Sequence, residues 1–190
     1  MTSSRRVSFS GMKRDKQKIT AAARKIKMLV LDVDGVLTDG SIILDNSGNE
    51  FKAFNVRDGH GIKMLIKAGY RVAIITGRSS LVVERRAREL GITDVYQQCY
   101  SKTAAYEELL AKTGLTPKEV AYVGDDIVDI PLLKRVGLPV SVADGVEEAR
   151  KCALFVTKNP GGRAAVREVT DLLLKASGRW KEFTDEYNAA

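Results

Sequence analysis

Asp32 and Asp34 stand two residues apart behind one apolar run, Thr76-Gly77-Arg78 stands behind a second, and Gly124-Asp125-Asp126 with Asp129 stands behind a later one. Lys102 opens a helical pattern between the last two. So many carboxylates brought to one edge repel each other unless a cation lies among them, and the fitting cation is magnesium held by Asp32 and Asp125. The same set suits phosphoryl transfer, in which metal, lysine and backbone donors neutralise an anionic ester. Asp32 would attack phosphorus and carry the phosphoryl group. Asp34, on the same side of an extended chain, would protonate the leaving alcohol and then activate water. Thr76 and Lys102 would hold the phosphoryl oxygens.

The composition narrows the chemistry further. His60 is the one histidine, so a multi-histidine metal site is excluded and a Ser/His/Asp triad would rest on that residue alone. Flanked by glycines, His60 reads as a loop residue. Cys99 and Cys152 lie far apart without a CxxC pair, which fits reduced thiols. No run approaches the roughly 18 apolar residues of a membrane span, and the expected location is the cytoplasm. No GxxxxGK[ST] loop for nucleotide triphosphates is present.

These residues need a frame to bring them together. Continuous apolar runs at Met28–Leu31, Val72–Ile75, Val120–Val123, Val140–Val142 and Leu154–Val156 read as strands of a parallel sheet buried on both faces. Helical patterns lie between them at Gly61–Lys67, Leu81–Leu90, Thr103–Lys112, Ile127–Val136 and Ala164–Ala176. Thr116-Pro117-Lys118-Glu119 has the form of a capping box. The order implies an α/β, doubly wound, mostly parallel sheet whose ligands bind beyond the carboxyl ends of its strands. Ser41–Leu44 and Glu50–Phe54 flank a turn-forming Asp45-Asn46-Ser47-Gly48-Asn49, so a β-hairpin insertion follows the first strand. Ile42, Ile43, Leu44, Phe51 and Phe54 make it too apolar to stand free, which predicts packing against another subunit.

The net charge of +7 has a location. Residues 1–27 carry nine basic side chains against Asp15 alone, giving +8, so residues 28–190 sum to −1. Three segments are expected: a disordered basic leader over 1–26, a catalytic domain over 27–178 and a tail over 179–190. The leader could also contact nucleic acid or resemble a transit peptide, but no exposed basic and aromatic face in the core supports nucleic-acid binding.

Asp32-Val33-Asp34-Gly35-Val36-Leu37-Thr38, Thr76 in Ile-Thr-Gly-Arg, Lys102, and Gly124-Asp125-Asp126 with Asp129 resemble the four motifs of the haloacid dehalogenase superfamily in its phosphatase branch. The hairpin, Phe54-Asn55-Val56-Arg57-Asp58-Gly59-His60-Gly61-Ile62 and Gly161-Gly162-Arg163-Ala164-Ala165-Val166-Arg167-Glu168 resemble, more narrowly, the 3-deoxy-D-manno-octulosonate 8-phosphate phosphatase family. That resemblance implies a fold without a large cap domain and a homotetramer whose neighbours close each site. It also implies hydrolysis of an eight-carbon sugar acid phosphate on the route to lipopolysaccharide. It further implies Mg2+ held by the Asp32 and Asp125 side chains and the Asp34 backbone carbonyl, with Asn55, Val56, Arg57, Asp58, Gly59, Lys63, Gly77, Arg78, Arg86 and Lys102 beside the substrate. Arg57, Lys63, Arg78 and Arg86 are suitable partners for an acidic ligand.

Other readings stay open at this point. The substrate could be another acidic sugar phosphate, such as N-acylneuraminate 9-phosphate, or the fold could be a non-catalytic binding module. Asp126 and Asp129 read equally as site groups or as helix-capping carboxylates. Gly161-Gly162-Arg163 reads equally as a flexible turn or as a lid reaching a neighbour's site.

Overall fold

The computed structural model describes residues 9–188. Six strands form the main sheet: β1 (Met28–Leu31), β4 (Arg71–Ile75), β5 (Asp94–Tyr96), β6 (Val120–Gly124), β7 (Leu138–Ser141) and β8 (Phe155–Val156). Their order is β5-β4-β1-β6-β7-β8, and every pairing is parallel. The sequence order departs from β1 in both directions, so the crevice beyond the carboxyl end of β1 is where a ligand can enter.

Because successive strand residues face opposite ways, the Met-Leu-Val-Leu run of β1 feeds two cores. Leu29 and Leu31 join one with Ile62 and Leu65 of α2 (Val56–Lys67), Ala87 of α3 (Leu81–Leu90) and Val169 of α7 (Ala165–Ala176). Met28 and Val30 join the other with Tyr106 and Leu109 of α4 (Lys102–Thr113), Leu132 of α5 (Ile130–Leu133) and Ala149 of α6 (Glu147–Cys152). Helices on both faces account for strands that are apolar throughout.

The hairpin consists of β2 (Ile43–Leu44) and β3 (Glu50–Phe51), paired antiparallel. Asp45 shapes its tip by accepting the N–H groups of Ser47 and Asn49. Thr116 and Glu119 form the expected capping box on a short 3-10 turn.

Several boundaries differ from the sequence expectation. The leader is not disordered throughout: α1 spans Phe9–Ala23, and Ala23 and Ile26 are buried in the sheet's first core, so an apolar anchor fixes its end. Residues 1–8 lie outside the described residues. The tail forms a further helix, α8 (Trp180–Asn188), which buries Phe183 and sets Trp180 under Lys175, 4.4 Å from the ring centroid. α2 starts five residues earlier than expected, because Asn55 caps it by accepting the Arg57 N–H at 2.8 Å. The expected helix over 127–136 divides into a 3-10 turn at Ile127–Asp129 and α5. Pro131 explains the division, since proline is accepted only in a helix's first turn. The edge strand β5 and the short α6 were too brief to show a pattern.

Candidate active site

Asp32 directly follows β1, and its carboxylate is turned so that Oδ1 accepts the Val33 N–H at 2.7 Å. β4 delivers Thr76, β6 delivers Asp125, and α4 presents Lys102 from its first residue. Together with Asp34, Gly77, Arg78 and Asp126 they line one pocket of about 410 Å³ at the carboxyl edge of the sheet. The sequence reading of Asp32, Asp34, Thr76, Gly77, Arg78, Lys102 and Asp125 as neighbours is thus met in space.

Lys102 is the electrostatic centre. A lysine at a helix N-terminus meets an unfavourable dipole, and here burial adds to the cost. The ammonium is nevertheless retained because Nζ lies 2.7 Å from Asp32 Oδ2 and 2.6 Å from Asp129 Oδ1. Burial lowers its pKa, the two carboxylates raise it, and the carboxylates prevail.

Asp129 is fully buried and uses both oxygens. Oδ1 accepts Lys102 and the Tyr122 hydroxyl, each at 2.6 Å, and Oδ2 accepts the Asp125 N–H at 2.8 Å and the Asp126 N–H at 3.1 Å. Its oxygens are committed to holding the turn after β6. Asp126 caps that turn and is exposed. The tyrosine's part in this could not be seen in sequence, since Tyr122 reads there as one more apolar strand residue.

Three carboxylates against one ammonium leave an excess of negative charge. Asp32, Asp125 and Asp129 each offer an oxygen within 4.8 Å of the others. Burial first, then Asp129 and Asp32, push the Asp125 carboxyl up to about 7. Burial and Asp129 likewise push Asp32 up to about 6, although Lys102 pulls the other way. Asp129 uses both oxygens within the protein, whereas Asp125 has no donor among the described residues and Asp32 meets one on each oxygen, so Asp32 and Asp125 offer the remaining lone pairs of a hard-oxygen donor set suited to magnesium. Gly35 makes this approach possible: its φ is +82°, and any Cβ there would collide with the Asp125 carboxylate.

Three groups not identified from the sequence stand behind Asp34 and Arg78. Lys52, just after β3, donates to Asp34 Oδ1, and its side chain is 1% exposed. Glu50 lies 3.4 Å from Lys52 Nζ and 3.2 Å from Arg78 Nη2, and accepts the Ser80 hydroxyl at 2.5 Å. A lysine after an exposed apolar hairpin carries no sequence signal of burial.

The remaining expected residues gather elsewhere. Asn55, Val56, Arg57, Gly59, Lys63 and Arg86 belong to the first turns of α2 and to α3, and none lines the pocket of this chain. Arg86 packs against Gly59, sits 5.8 Å from the Phe54 ring and pairs with Glu89 at 2.8 Å. Asp58 is buried, its carboxylate accepting the Arg167 N–H at 2.6 Å and so capping α7 from α2. The physical reason is that α7's own cap position, Ala164, has no side chain able to accept. The Gly161-Gly162 turn packs on the loop after β1: Gly161 rests on the Gly35 carbonyl, where a Cβ could not fit, and the Gly162 N–H donates to Val36 O at 3.0 Å. His60 is exposed on α2.

Comparison with known proteins matches this geometry. The model of the haloacid dehalogenase-like hydrolase family matches residues 59–137. The 3-deoxy-D-manno-octulosonate 8-phosphate phosphatase KdsC of Escherichia coli K12 is 51% identical over 164 residues, covering 86% of this chain and 87% of the relative. The chain belongs to the 3-deoxy-D-manno-octulosonate 8-phosphate phosphatase family. The crystal structure of the Yersinia pestis family member superposes with a TM-score of 0.85 at 49% identity, covering 86% of this chain and 89% of that one. That of the Moraxella catarrhalis member contains a magnesium ion, a phosphate ion and a KDO molecule. It superposes at 0.88 with 42% identity, covering 90% of this chain and 98% of that one. As in other capless members of this superfamily, the sheet carries no large cap domain among the described residues. No described helix is long and apolar enough to cross a membrane.

Proposed function

We propose that this protein is a magnesium-dependent phosphatase that hydrolyses 3-deoxy-D-manno-octulosonate 8-phosphate to the free sugar acid and phosphate. One observation carries the reading: Asp32, Asp34, Thr76, Lys102 and Asp125 line a single pocket, in which the Asp125 carboxylate accepts no hydrogen bond from any described residue. Asp32 and Asp125, with the Asp34 backbone carbonyl, would hold Mg2+, which when bound neutralises charge on the phosphoryl oxygens. Asp32 forms a bond to phosphorus as the ester P–O bond breaks, giving an aspartyl-phosphate. Asp34 gives a proton to the departing alkoxide and later takes one from the water that cleaves the acyl phosphate. Lys102 and Thr76 hold the phosphoryl oxygens, and Lys102 balances Asp32 before substrate arrives.

Arg78, at the pocket rim, with Asn55 to Arg57, Gly59, Lys63 and Arg86, would recognise the sugar acid. The exposed Ile43, Leu44 and Phe51 of the hairpin support a homotetramer in which this face is covered. The catalytic domain over 27–178 would act in the cytoplasm, in lipopolysaccharide precursor synthesis.

The test is phosphate release from eight-carbon and nine-carbon sugar acid phosphates, with and without Mg2+, by wild type and Asp32→Asn. Selective release from the eight-carbon ester, lost without Mg2+ and in Asp32→Asn, is expected. Release from the nine-carbon ester alone would keep the chemistry and change the substrate, and no release would favour a binding module.

A further inference from the structure

We infer that Lys52 is a positioning residue for proton transfer by Asp34, so that the base of the hairpin holds a carboxylate of its own subunit's site in place. The inference rests on the proposed role of Asp34 and extends it. Lys52 follows β3 directly, at the base of a hairpin whose apolar side chains are exposed, yet its own side chain is 1% exposed. A buried ammonium persists only where partners replace its water. Its partners are Asp34 Oδ1 and, at 3.4 Å, Glu50 Oε1.

Glu50 is in turn fixed from the core side. Its Oε2 accepts the hydroxyl of Ser80, the residue that caps α3, and its Oε1 faces Arg78 Nη2 at 3.2 Å. The line from the α3 cap through Glu50 and Lys52 to Asp34 ties the hairpin base to the sheet edge. The ordering of a long lysine side chain is therefore complete before any substrate binds, which is what preorganisation requires.

The two oxygens of Asp34 are not equivalent. Oδ1 is taken by Lys52. Oδ2 has Arg78 Nε at 3.6 Å, beyond hydrogen-bond distance, and no described residue donates to it. Lys52 thus holds the carboxyl in one orientation and leaves Oδ2 as the oxygen that exchanges a proton with the ester oxygen.

The experiment compares two substrates with different leaving groups. A sugar alkoxide needs a proton as it departs, whereas p-nitrophenolate leaves without one, and kcat/KM reports on that first step. In Lys52→Met, kcat/KM for the sugar acid phosphate is expected to fall about 30-fold and that for p-nitrophenyl phosphate about fivefold or less, a positioning share of the usual proton-transfer contribution. Mg2+ affinity measured by calorimetry without substrate should stay within about threefold. Asp34→Asn, run beside it, should show the same selectivity more strongly. Equal losses on both substrates in Lys52→Met, with Asp34→Asn still selective, would overturn the role of Lys52 alone. Equal losses in Asp34→Asn would overturn the proton-transfer reading and the inference with it. Should Lys52→Met not fold, Lys52→Gln, similar in length and able to donate to Asp34, carries the same comparison and should show a smaller selective loss.

Discussion

Asp129 Oδ2 accepts the backbone N–H of Asp125 at 2.8 Å, so a fully buried carboxylate sets the chain direction of the residue that would hold the metal. Its other oxygen accepts Tyr122 and Lys102. Asp129→Ala would leave a buried hydroxyl, two N–H groups and part of an ammonium without partners. A loss of about 3 kcal/mol of stability is expected from such unpaired groups, with phosphate release falling about 100-fold or more. Asp129→Asn, which keeps an acceptor for the two N–H groups, should unfold at a higher urea concentration than Asp129→Ala.

Gly35 meets the Asp125 carboxylate where no Cβ fits. Gly35→Ala should therefore displace that carboxylate and weaken Mg2+ binding about 10-fold to 100-fold, the size of effect seen when a ligand's support is disturbed. Calorimetric titration of Mg2+ measures it directly. An unchanged affinity would mean that Asp125 does not hold the metal in this position.

Folded-state pKa values of about 6 for Asp32 and about 7 for Asp125 lie above the ordinary carboxylate value of about 4. Without Mg2+, the folded state binds protons more tightly than the unfolded one. The resulting stability is complete below about pH 4 and is lost as pH rises through 6 and 7. Mg2+ must displace those protons, so its affinity should rise from pH 5 to 7 and level off above that. Melting temperature against pH, in EDTA and in Mg2+, should show the two curves separating as pH rises.

Asp58 is expected to act in the same direction. Burial pushes its carboxyl up to about 6, against the N–H groups of Arg167, Ala164 and Val166, so its contribution also declines between about pH 4 and 6. Asp58→Asn retains an acceptor for Arg167 and should flatten that part of the melting curve. Asp58→Ala, which uncaps α7, should cost about 1 kcal/mol or more at acid pH, and the difference from wild type should narrow as pH rises from about 4 to 6.

Ile43, Leu44 and Phe51 are 47%, 59% and 54% exposed in the single chain. Ile43→Glu with Phe51→Lys places charge on that face and should convert the proposed tetramer to smaller species by light scattering. A wild type that is already monomeric at micromolar concentration would remove the tetramer.

The linear sequence by itself determined the alternation of buried strands and helices, because strands covered on both faces must be apolar throughout, as Met28–Leu31 and Val120–Val123 are. It also determined where Asp32, Thr76 and Asp125 fall, because each follows directly on such a run and inherits its place at the carboxyl edge of the sheet. The hairpin was legible from its turn chemistry. Tertiary structure alone decided the roles of Lys52, Tyr122 and Asp58. Each depends on a partner 18, 7 or 109 residues away, and burial and hydrogen bonding are properties of such pairings rather than of residue type. For the same reason the sequence did not show that Asp58 meets a helix end whose N–H groups needed an acceptor, or that Ala23 and Ile26 after the leader and Phe183 in the tail are buried in the core.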